Sequence, residues 1–348
     1  MIQWAIIRCK RGIVIARPRV FVTRRMPQEA LDLLAAETEL EVWPEEEHPP
    51  REMLLDRASH CTGLFTTIED RIDEELLVAG QSILKVVANL GVGYDNFDVE
   101  AATRHGIALG NTPGVLTKAT ADLAFALVMA VARLVAEGDR YVRAGKWRNW
   151  HPLYHLGHDV HGANLTILGL GQIGLEVAKR GLGFEMKVFY HDLVRRREEE
   201  QRYGLTYCED VASALRVADF LCIHVPLTSE TRHMIGREEL RLMKPTAFLV
   251  NAARGLVVDH QALYEALRDG VIAGAGLDVT EPEPIPRDHP LLTLSNVVIT
   301  PHVGSASRET RKQMALMAAR NILAALKGEE MPSCINPQVF QGRYQGER

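Results

Sequence analysis

Cysteine is scarce in this chain. The five present, Cys9, Cys61, Cys208, Cys222 and Cys334, are odd in number and never stand in CxxC spacing. That pattern argues against a disulfide framework and against a zinc finger, and it fits a reducing, cytoplasmic setting. No apolar run reaches the ~20 residues of a membrane span; the longest, 123–134, is broken by Arg133. Positive charge is not in excess either. Forty Lys and Arg stand against 45 Asp and Glu, for a net charge of −5, and the basic residues are spread along the chain. There is no basic footprint for nucleic acid. Residues 1–18 contain no acid and no Ser or Thr. The lack of acids suits an organelle transit peptide, but the lack of hydroxyl residues argues against one. The segment reads as an unstructured or mis-started extension.

What is present is ordinary globular composition. Of 348 residues, 47% are hydrophobic and 24% charged, which excludes wholesale disorder and leaves two domains as the natural division. From Pro18 onward, short β-branched runs alternate with helical stretches. Strands are predicted at 19–23, 40–42, 63–66, 84–88 and 107–109, with helices at 27–37, 50–58, 73–79 and 99–105 between them. The stretch 120–137 is apolar nearly all round and reads as one buried helix joining two domains. Residues 147–161, rich in Trp, His and Gly, read as a loop. A second series follows, with strands at 165–168, 187–190, 220–224, 247–250, 275–279 and 297–299. A last helix at 308–326 is closed by Gly328 and Pro332. The fold class is α/β: two Rossmann-like or flavodoxin-like domains with parallel sheets.

The hexapeptide Gly169-Leu170-Gly171-Gln172-Ile173-Gly174 is a GxGxxG placed after a predicted strand and at the opening of a predicted helix. Gly169 permits the tight turn, Gly171 lets the backbone approach a pyrophosphate, and Gly174 lets helix and strand pack closely. Asp192 follows the next strand, 18 residues after Gly174. It stands near the offset of the acid that accepts from the adenosine ribose of NAD and repels the 2′-phosphate of NADP. Arg195, Arg196 and Arg197 follow closely enough to soften that preference.

Three later strand ends carry polar residues: Arg254, Glu283 and His302. Ligands in open α/β sheets bind outside the carboxyl ends of the strands, so all three are expected to face one crevice. Singly, each has a bland reading as a surface cation, a loop acid or a core histidine. Together they form an acid–base set for a 2-keto acid and its 2-hydroxy acid. The guanidinium grips a carboxylate and a neighbouring carbonyl, the imidazole moves a proton at the carbonyl oxygen, and the carboxylate holds the imidazole tautomer and favours its protonated form. The cofactor carries the hydride.

Read as a set, LGLGQIG at 168–174, HVPLTSETRHMI at 224–235, VNAARGLVVD at 250–259, GAGLDVTEPEP at 274–284 and TPHVGSAS at 300–307 resemble the D-isomer-specific 2-hydroxyacid dehydrogenases. The resemblance runs over nearly all of 19–340 and is strongest to the glyoxylate/hydroxypyruvate reductases. It implies catalysis by Arg254, Glu283 and His302, with His302 as proton donor. Cofactor contacts are implied from Gly169, Gly171, Gln172, Ile173, Gly174, Asp192, His224, Val225, Pro226, Thr231, Ala252, Ala253, Arg254, Asp278, His302, Gly304 and Thr120. Through ANLGVGYDN at 88–96 it implies that the Val92 and Gly93 amides hold the substrate carboxylate, beside Arg254 and His302. Through NWHPLYHLGHDVHG at 149–162 it implies a loop that sends Trp150 into the site of a neighbouring subunit, and hence a homodimer. The domain plan it implies is discontinuous: an extension at 1–18, a substrate domain from 19–115 and 305–340, and an NAD-binding domain at 116–304. NAD is the expected cofactor, with NADP as the alternative, because relatives using NADP carry a small or hydroxyl residue where this chain has Asp192.

Other readings compete with this one. His151, His155, His158 and His161 have metal-like spacing, but no HExxH-type pattern accompanies them, and no metal is expected. Formate dehydrogenases share the fold with Gln in place of Glu283. A phosphoglycerate dehydrogenase-type enzyme and an NAD-binding scaffold resembling the C-terminal-binding corepressors remain the alternatives. The absence of a regulatory domain or a long tail after Asn336 counts against both.

Overall fold

The computed structural model describes residues 6–9, 12–15 and 17–341. Fourteen strands occur among them: β1 (Ile6–Cys9), β2 (Gly12–Ile15), β3 (Arg19–Val22), β4 (Glu39–Val42), β5 (Gly63–Thr66), β6 (Val86–Asn89), β7 (Ala108–Gly110), β8 (Asn164–Leu168), β9 (Lys187–His191), β10 (Thr206–Tyr207), β11 (Phe220–Ile223), β12 (Phe248–Asn251), β13 (Gly274–Leu277) and β14 (Val297–Ile299). The chain divides into two compact units. One runs through Leu116 and resumes at Ser307; the other is Thr117–Ala306.

In the first unit the strands form a parallel sheet in the order β4-β3-β5-β6-β7, the doubly wound order of flavodoxin-like sheets. Side-chain alternation divides its core into two layers. Val20 and Val22 of β3, with Val86 and Ala88 of β6, pack against Ala315, Ala318, Ala319 and Ile322 of the helix Arg308–Lys327. Phe21 and Val87, one residue out of phase, pack on the opposite face with Leu54, Ala58, Leu76 and Leu77. The alanines let the last helix approach the sheet closely. Ser307 caps its N-terminus by accepting from the Thr310 amide, and Gly328 ends it at φ 74°, the left-handed conformation glycine adopts without penalty.

The second unit is a seven-stranded parallel sheet, β10-β9-β8-β11-β12-β13-β14. Its central strands are apolar on both faces, as strands covered on both sides must be. Leu221, Ile223 and Leu249 face one core, and Phe220, Cys222 and Val250 face the other. Chain order reverses about β8. The loops after β8, β11, β12, β13 and β14 leave the carboxyl edge of the sheet, where such folds bind ligands.

Three expectations need correction. The apolar stretch 120–137 is not one helix but two, Thr117–Ala132 and Val135–Arg143, bent by 61° at a break where Leu134 is left-handed (φ 53°). Hydrophobicity persists through the break, so composition alone does not reveal it. The reading of 1–18 as unstructured gives way in part to an antiparallel pairing of β1 with β2. The short edge strand β10 adds to the expected set; its Thr206 and Tyr207 pair with Phe189 and Tyr190. Residues 147–161 carry no helix or strand. No single helix among the described residues is long and apolar enough to cross a membrane.

Candidate active site

The glycine turn joins β8 to the helix Gln172–Gly183, and its three glycines answer to different constraints. Gly169 is left-handed (φ 90°), and a Cβ there would stand 2.9 Å from the His224 carbonyl oxygen. A Cβ on Gly174 would stand 2.2 Å from the Gly169 carbonyl oxygen, so only glycine lets the helix start this close to the strand. A Cβ on Gly171 would meet no protein atom within 4 Å. Packing therefore does not demand that glycine, whereas close approach of a ligand would. Gln172 and Ile173 supply first-turn amides with no partner inside the helix, at its positive end. These features fit a dinucleotide pyrophosphate.

Asp192 follows β9 and is bound back onto the same turn. Its Oδ2 accepts from the Leu170 amide at 2.8 Å, and Oδ1 accepts from the Val194 amide at 3.2 Å. Of the three arginines beyond it, Arg195 is drawn away to Glu200 at 2.9 Å and lies over the Tyr207 ring. The Arg196 amide donates to Tyr190 Oη at 2.7 Å, and that hydroxyl donates to Glu200.

His224 leaves the end of β11. Both its ring nitrogens are buried and have no hydrogen-bond partner among the described residues. Burial pushes its pKa down to about 4, so the ring is neutral at pH 7. Orphaned polar atoms beside the glycine turn are what a cofactor-contacting residue leaves when only protein is counted. Thr231 closes the following turn, donating to the Pro226 carbonyl at 2.6 Å and accepting from the Thr228 amide at 2.8 Å. Val225 is partly buried and Pro226 exposed in the same loop.

Asn251 ends β12 fully buried. Its Oδ1 accepts from the Ala253 amide and its Nδ2 donates to the Arg254 carbonyl, which fixes the path of Ala252, Ala253 and Arg254. A Cβ on Gly255 would lie 1.9 Å from the Thr280 carbonyl oxygen, so the 254–255 backbone runs directly against the loop that carries Glu283.

Glu283 and His302 meet: Oε1 lies 2.5 Å from Nδ1, with the two side chains 35% and 27% exposed. Burial alone would push the Glu283 carboxyl up. The His302 hydrogen bond and charge, the Thr280 amide at 3.3 Å and the Arg254 charge outweigh it, and the net shift is downward. Glu283 is therefore a carboxylate at neutral pH. His302 sits in left-handed backbone, φ 51°, a conformation that costs a non-glycine residue of order 1 kcal/mol or more. What holds it there is Asp278, 2% exposed. Its Oδ1 accepts from the Val303 amide and the Thr300 hydroxyl, its Oδ2 from the Gly304 amide, and its carbonyl from the His302 amide. Both oxygens of Asp278, expected at the cofactor, are thus engaged in bracing the 300–304 turn. A Cβ on Gly304 would crowd Asp278 Oδ2 at 3.0 Å and the Thr120 methyl at 3.3 Å, which accounts for the glycine and places Thr120 beside it.

In the first unit, Val92 and Gly93 lie in the loop after β6. Their amides donate to no acceptor among the described residues, whereas the carbonyls of Gly91, Val92 and Gly93 all accept hydrogen bonds. Trp150 is 79% exposed, as are Trp147, Leu153, Tyr154 and Leu156 to lesser degrees. Three histidines of that segment meet aromatic rings: His151 stacks on Tyr154, His155 meets Tyr141, and His158 meets Phe248. No group of three metal-ligating side chains occurs among the described residues.

Asn251, Asn89 and Asn111 are not singled out by the sequence reading. The available signal is an Asn at or just after a strand end, directly before a glycine-containing loop.

Comparison with known proteins identifies the family. Residues 125–304 match the family model of the D-isomer specific 2-hydroxyacid dehydrogenase, NAD binding domain. A glyoxylate reductase of Korarchaeum cryptofilum is 51% identical over 331 residues, covering 95% of this chain and 99% of that one. A crystal structure of a Thermus thermophilus protein superposes with a TM-score of 0.85 at 47% identity, covering 91% of this chain and 99% of that one. An NADPH-dependent glyoxylate/hydroxypyruvate reductase of Sinorhizobium meliloti, solved with NADP and malonate, has a TM-score of 0.79 at 32% identity, with 92% and 97% covered. The chain is a member of the D-isomer specific 2-hydroxyacid dehydrogenase family, an NAD(P)-dependent oxidoreductase of the α/β class.

Proposed function

We propose that this enzyme reduces small 2-keto acids, glyoxylate and hydroxypyruvate first among them, to 2-hydroxy acids, with His302 as the proton donor. The observation that carries the reading is the Glu283–His302 pair at 2.5 Å, on the carboxyl edge of the sheet that holds the glycine turn. Gly169, Gly171, Gln172, Ile173 and Gly174 would hold the pyrophosphate, Asp192 the adenosine ribose, and His224, Thr231, Ala252 and Ala253 further parts of the dinucleotide. NAD(P)H, when bound, supplies the hydride. The chain's own residues do the rest. Arg254 and the Val92 and Gly93 amides bind the substrate carboxylate. His302 delivers its proton to the oxygen of the reduced carbonyl, and Glu283 stabilises the imidazolium that must exist beforehand. Asp278 acts by holding the turn that aims His302.

Asp192 favours NADH over NADPH. The exposed side chains of Trp147, Trp150, Leu153, Tyr154 and Leu156, together with Val135 (58%) and Val142 (51%), support a homodimer formed through this segment, because monomers rarely expose so many large apolar groups together. The free, mostly buried cysteines support a cytoplasmic location. We assign 17–116 and 307–341 to substrate binding and 117–306 to the cofactor. The test is a matrix of initial rates: glyoxylate, hydroxypyruvate, pyruvate and phosphohydroxypyruvate, each with NADH and NADPH. Glyoxylate or hydroxypyruvate with NADH is expected to give the highest kcat/KM. Preference for phosphohydroxypyruvate, or no turnover of any, overturns the reading.

A further inference from the structure

The peptide planes of residues 91–94 are set from outside the loop. A trans peptide is planar, and its N–H points opposite its C=O, so whatever holds a carbonyl also aims the next amide. The Gly91 carbonyl accepts from the Thr112 amide at 2.9 Å and thereby aims the Val92 N–H. The Val92 carbonyl accepts from Asn111 Nδ2 at 2.8 Å and thereby aims the Gly93 N–H. The Gly93 carbonyl accepts from Asn89 Nδ2 at 2.9 Å, which closes the loop on its far side. We infer that Asn111, oriented by Ser333, and Asn89 are positioning residues for carboxylate binding: they turn the loop carbonyls away from the anion and hold the amides toward it.

An Asn amide does this only in one of its two orientations, since the reversed one sets oxygen against carbonyl oxygen. For Asn111 the choice is made by Ser333. Its hydroxyl donates to Asn111 Oδ1 at 2.6 Å and leaves Nδ2 for the Val92 carbonyl. Ser333 is itself located by the last helix. Its amide donates to Asn321 Oδ1 at 2.9 Å, and Asn321 Nδ2 donates to the Asn111 carbonyl at 2.9 Å. Asn89, Asn111 and Asn321 are all buried, so water does not compete for these bonds and the arrangement is rigid. The segment after the last helix therefore acts on a loop more than 200 residues earlier in the chain.

This inference rests on the proposed role of the Val92 and Gly93 amides, and the test separates the two. Wild type, Ser333→Ala, Ser333→Thr and Asn111→Ala would be compared for kcat and KM with glyoxylate, for NADH affinity, and for oxamate affinity by titration calorimetry on the NADH complex. Ser333→Ala removes only the hydroxyl that orients Asn111. It is expected to raise glyoxylate KM and oxamate Kd about 3- to 10-fold, the worth of a lost hydrogen bond, with kcat and NADH affinity within about 2-fold. Ser333→Thr keeps a hydroxyl and restores both constants. Asn111→Ala, if folded by circular dichroism, exceeds the Ser333→Ala effect. Unchanged oxamate and glyoxylate constants in Ser333→Ala overturn the inference, as does a loss confined to melting temperature. A wild type that binds oxamate but turns over no keto acid would count against the proposed function alone, since the calorimetry still reads the positioning.

Discussion

Replacing Glu283 by Gln tests the acid–base pair with the least change of shape. Two donors converge on this carboxylate: His302 Nδ1–H at 2.5 Å and the Thr280 amide at 3.3 Å. A carboxylate accepts from both, but Gln has one oxygen and must turn its NH2 toward one of them. If the oxygen stays on His302, a charge-assisted bond becomes a neutral one. Such bonds are worth about 1.5–3 and 0.5–1.5 kcal/mol respectively, so about 1–1.5 kcal/mol is lost, and facing the Thr280 amide with a donor adds up to about 1 kcal/mol. At 1.4 kcal/mol per tenfold, kcat/KM for reduction should fall by about 5- to 60-fold. Burial raises the Glu283 pKa, but the His302 bond and charge outweigh it and leave the group below its ordinary value. The carboxylate that accepts both bonds is therefore the form present at neutral pH, where the fall is read. Steady-state reduction of glyoxylate, wild type against Glu283→Gln, gives the ratio. A rate within 2-fold of wild type would refute the assignment of His302 and Glu283 as one proton-delivering unit.

Three further outcomes follow from single residues. Gly171→Ala should leave the melting temperature unchanged, because a Cβ there meets no protein atom within 4 Å, whereas Gly174→Ala, 2.2 Å from a carbonyl oxygen, should cost about 2 kcal/mol or more. Dinucleotide affinity by fluorescence titration should drop at least ~10-fold in Gly171→Ala if the turn cradles a pyrophosphate, and unchanged affinity would remove the turn from the cofactor site. Asp192→Ser should raise the ratio of kcat/KM for NADPH to that for NADH by ~10-fold or more, since it deletes both the ribose acceptor and the charge that repels a 2′-phosphate; a constant ratio would show that cofactor choice is made elsewhere. His260, 4% exposed and with both ring nitrogens unpartnered among the described residues, has its pKa pushed down to about 4 by burial. Below pH 6.5 the unfolded chain takes up a proton that the folded one refuses, so this residue lowers stability as pH falls from 6.5 toward 4, by about 2 kcal/mol between pH 8 and pH 5. Urea unfolding of His260→Leu should show a shallower loss between those pH values, and an identical slope would mean that the ring finds a proton acceptor in the fold.

Much of the fold is legible because the physics that shapes it is local. A strand covered on both faces must be apolar almost throughout, so Phe220–Ile223 and 247–250 stand out as short apolar runs. A turn that needs a left-handed residue and two missing side chains must be written in glycine, so 169–174 stands out as well. The break at Leu134 has no such signal: a leucine in left-handed backbone (φ 53°) is chosen by packing, and composition runs through it unchanged. The strand-end residues Arg254, Glu283 and His302 are readable as types of chemistry. That Glu283 touches His302 depends on the 280–284 and 300–304 loops, whose course is set by Thr280 and Asp278 across the sheet edge.

The braces behind the site lie further out of reach, for a reason common to both units. A loop that presents amides or a guanidinium to a ligand must dispose of its carbonyls. Water would do so weakly, and another backbone strand would close the edge. A buried Asn at or just beyond a strand end does it with one side chain: Asn251 donates to the Arg254 carbonyl while accepting from the Ala253 amide, and Asn111 donates to the Val92 carbonyl while accepting from Ser333. Each works because its second bond forbids the reversed amide. In Asn251 that second partner is two residues away, close enough to be guessed from an Asn before a tight turn. In Asn111 it is 222 residues away, and no local rule connects them. Legibility therefore fails at the step where a side chain's orientation, rather than its identity, carries the function.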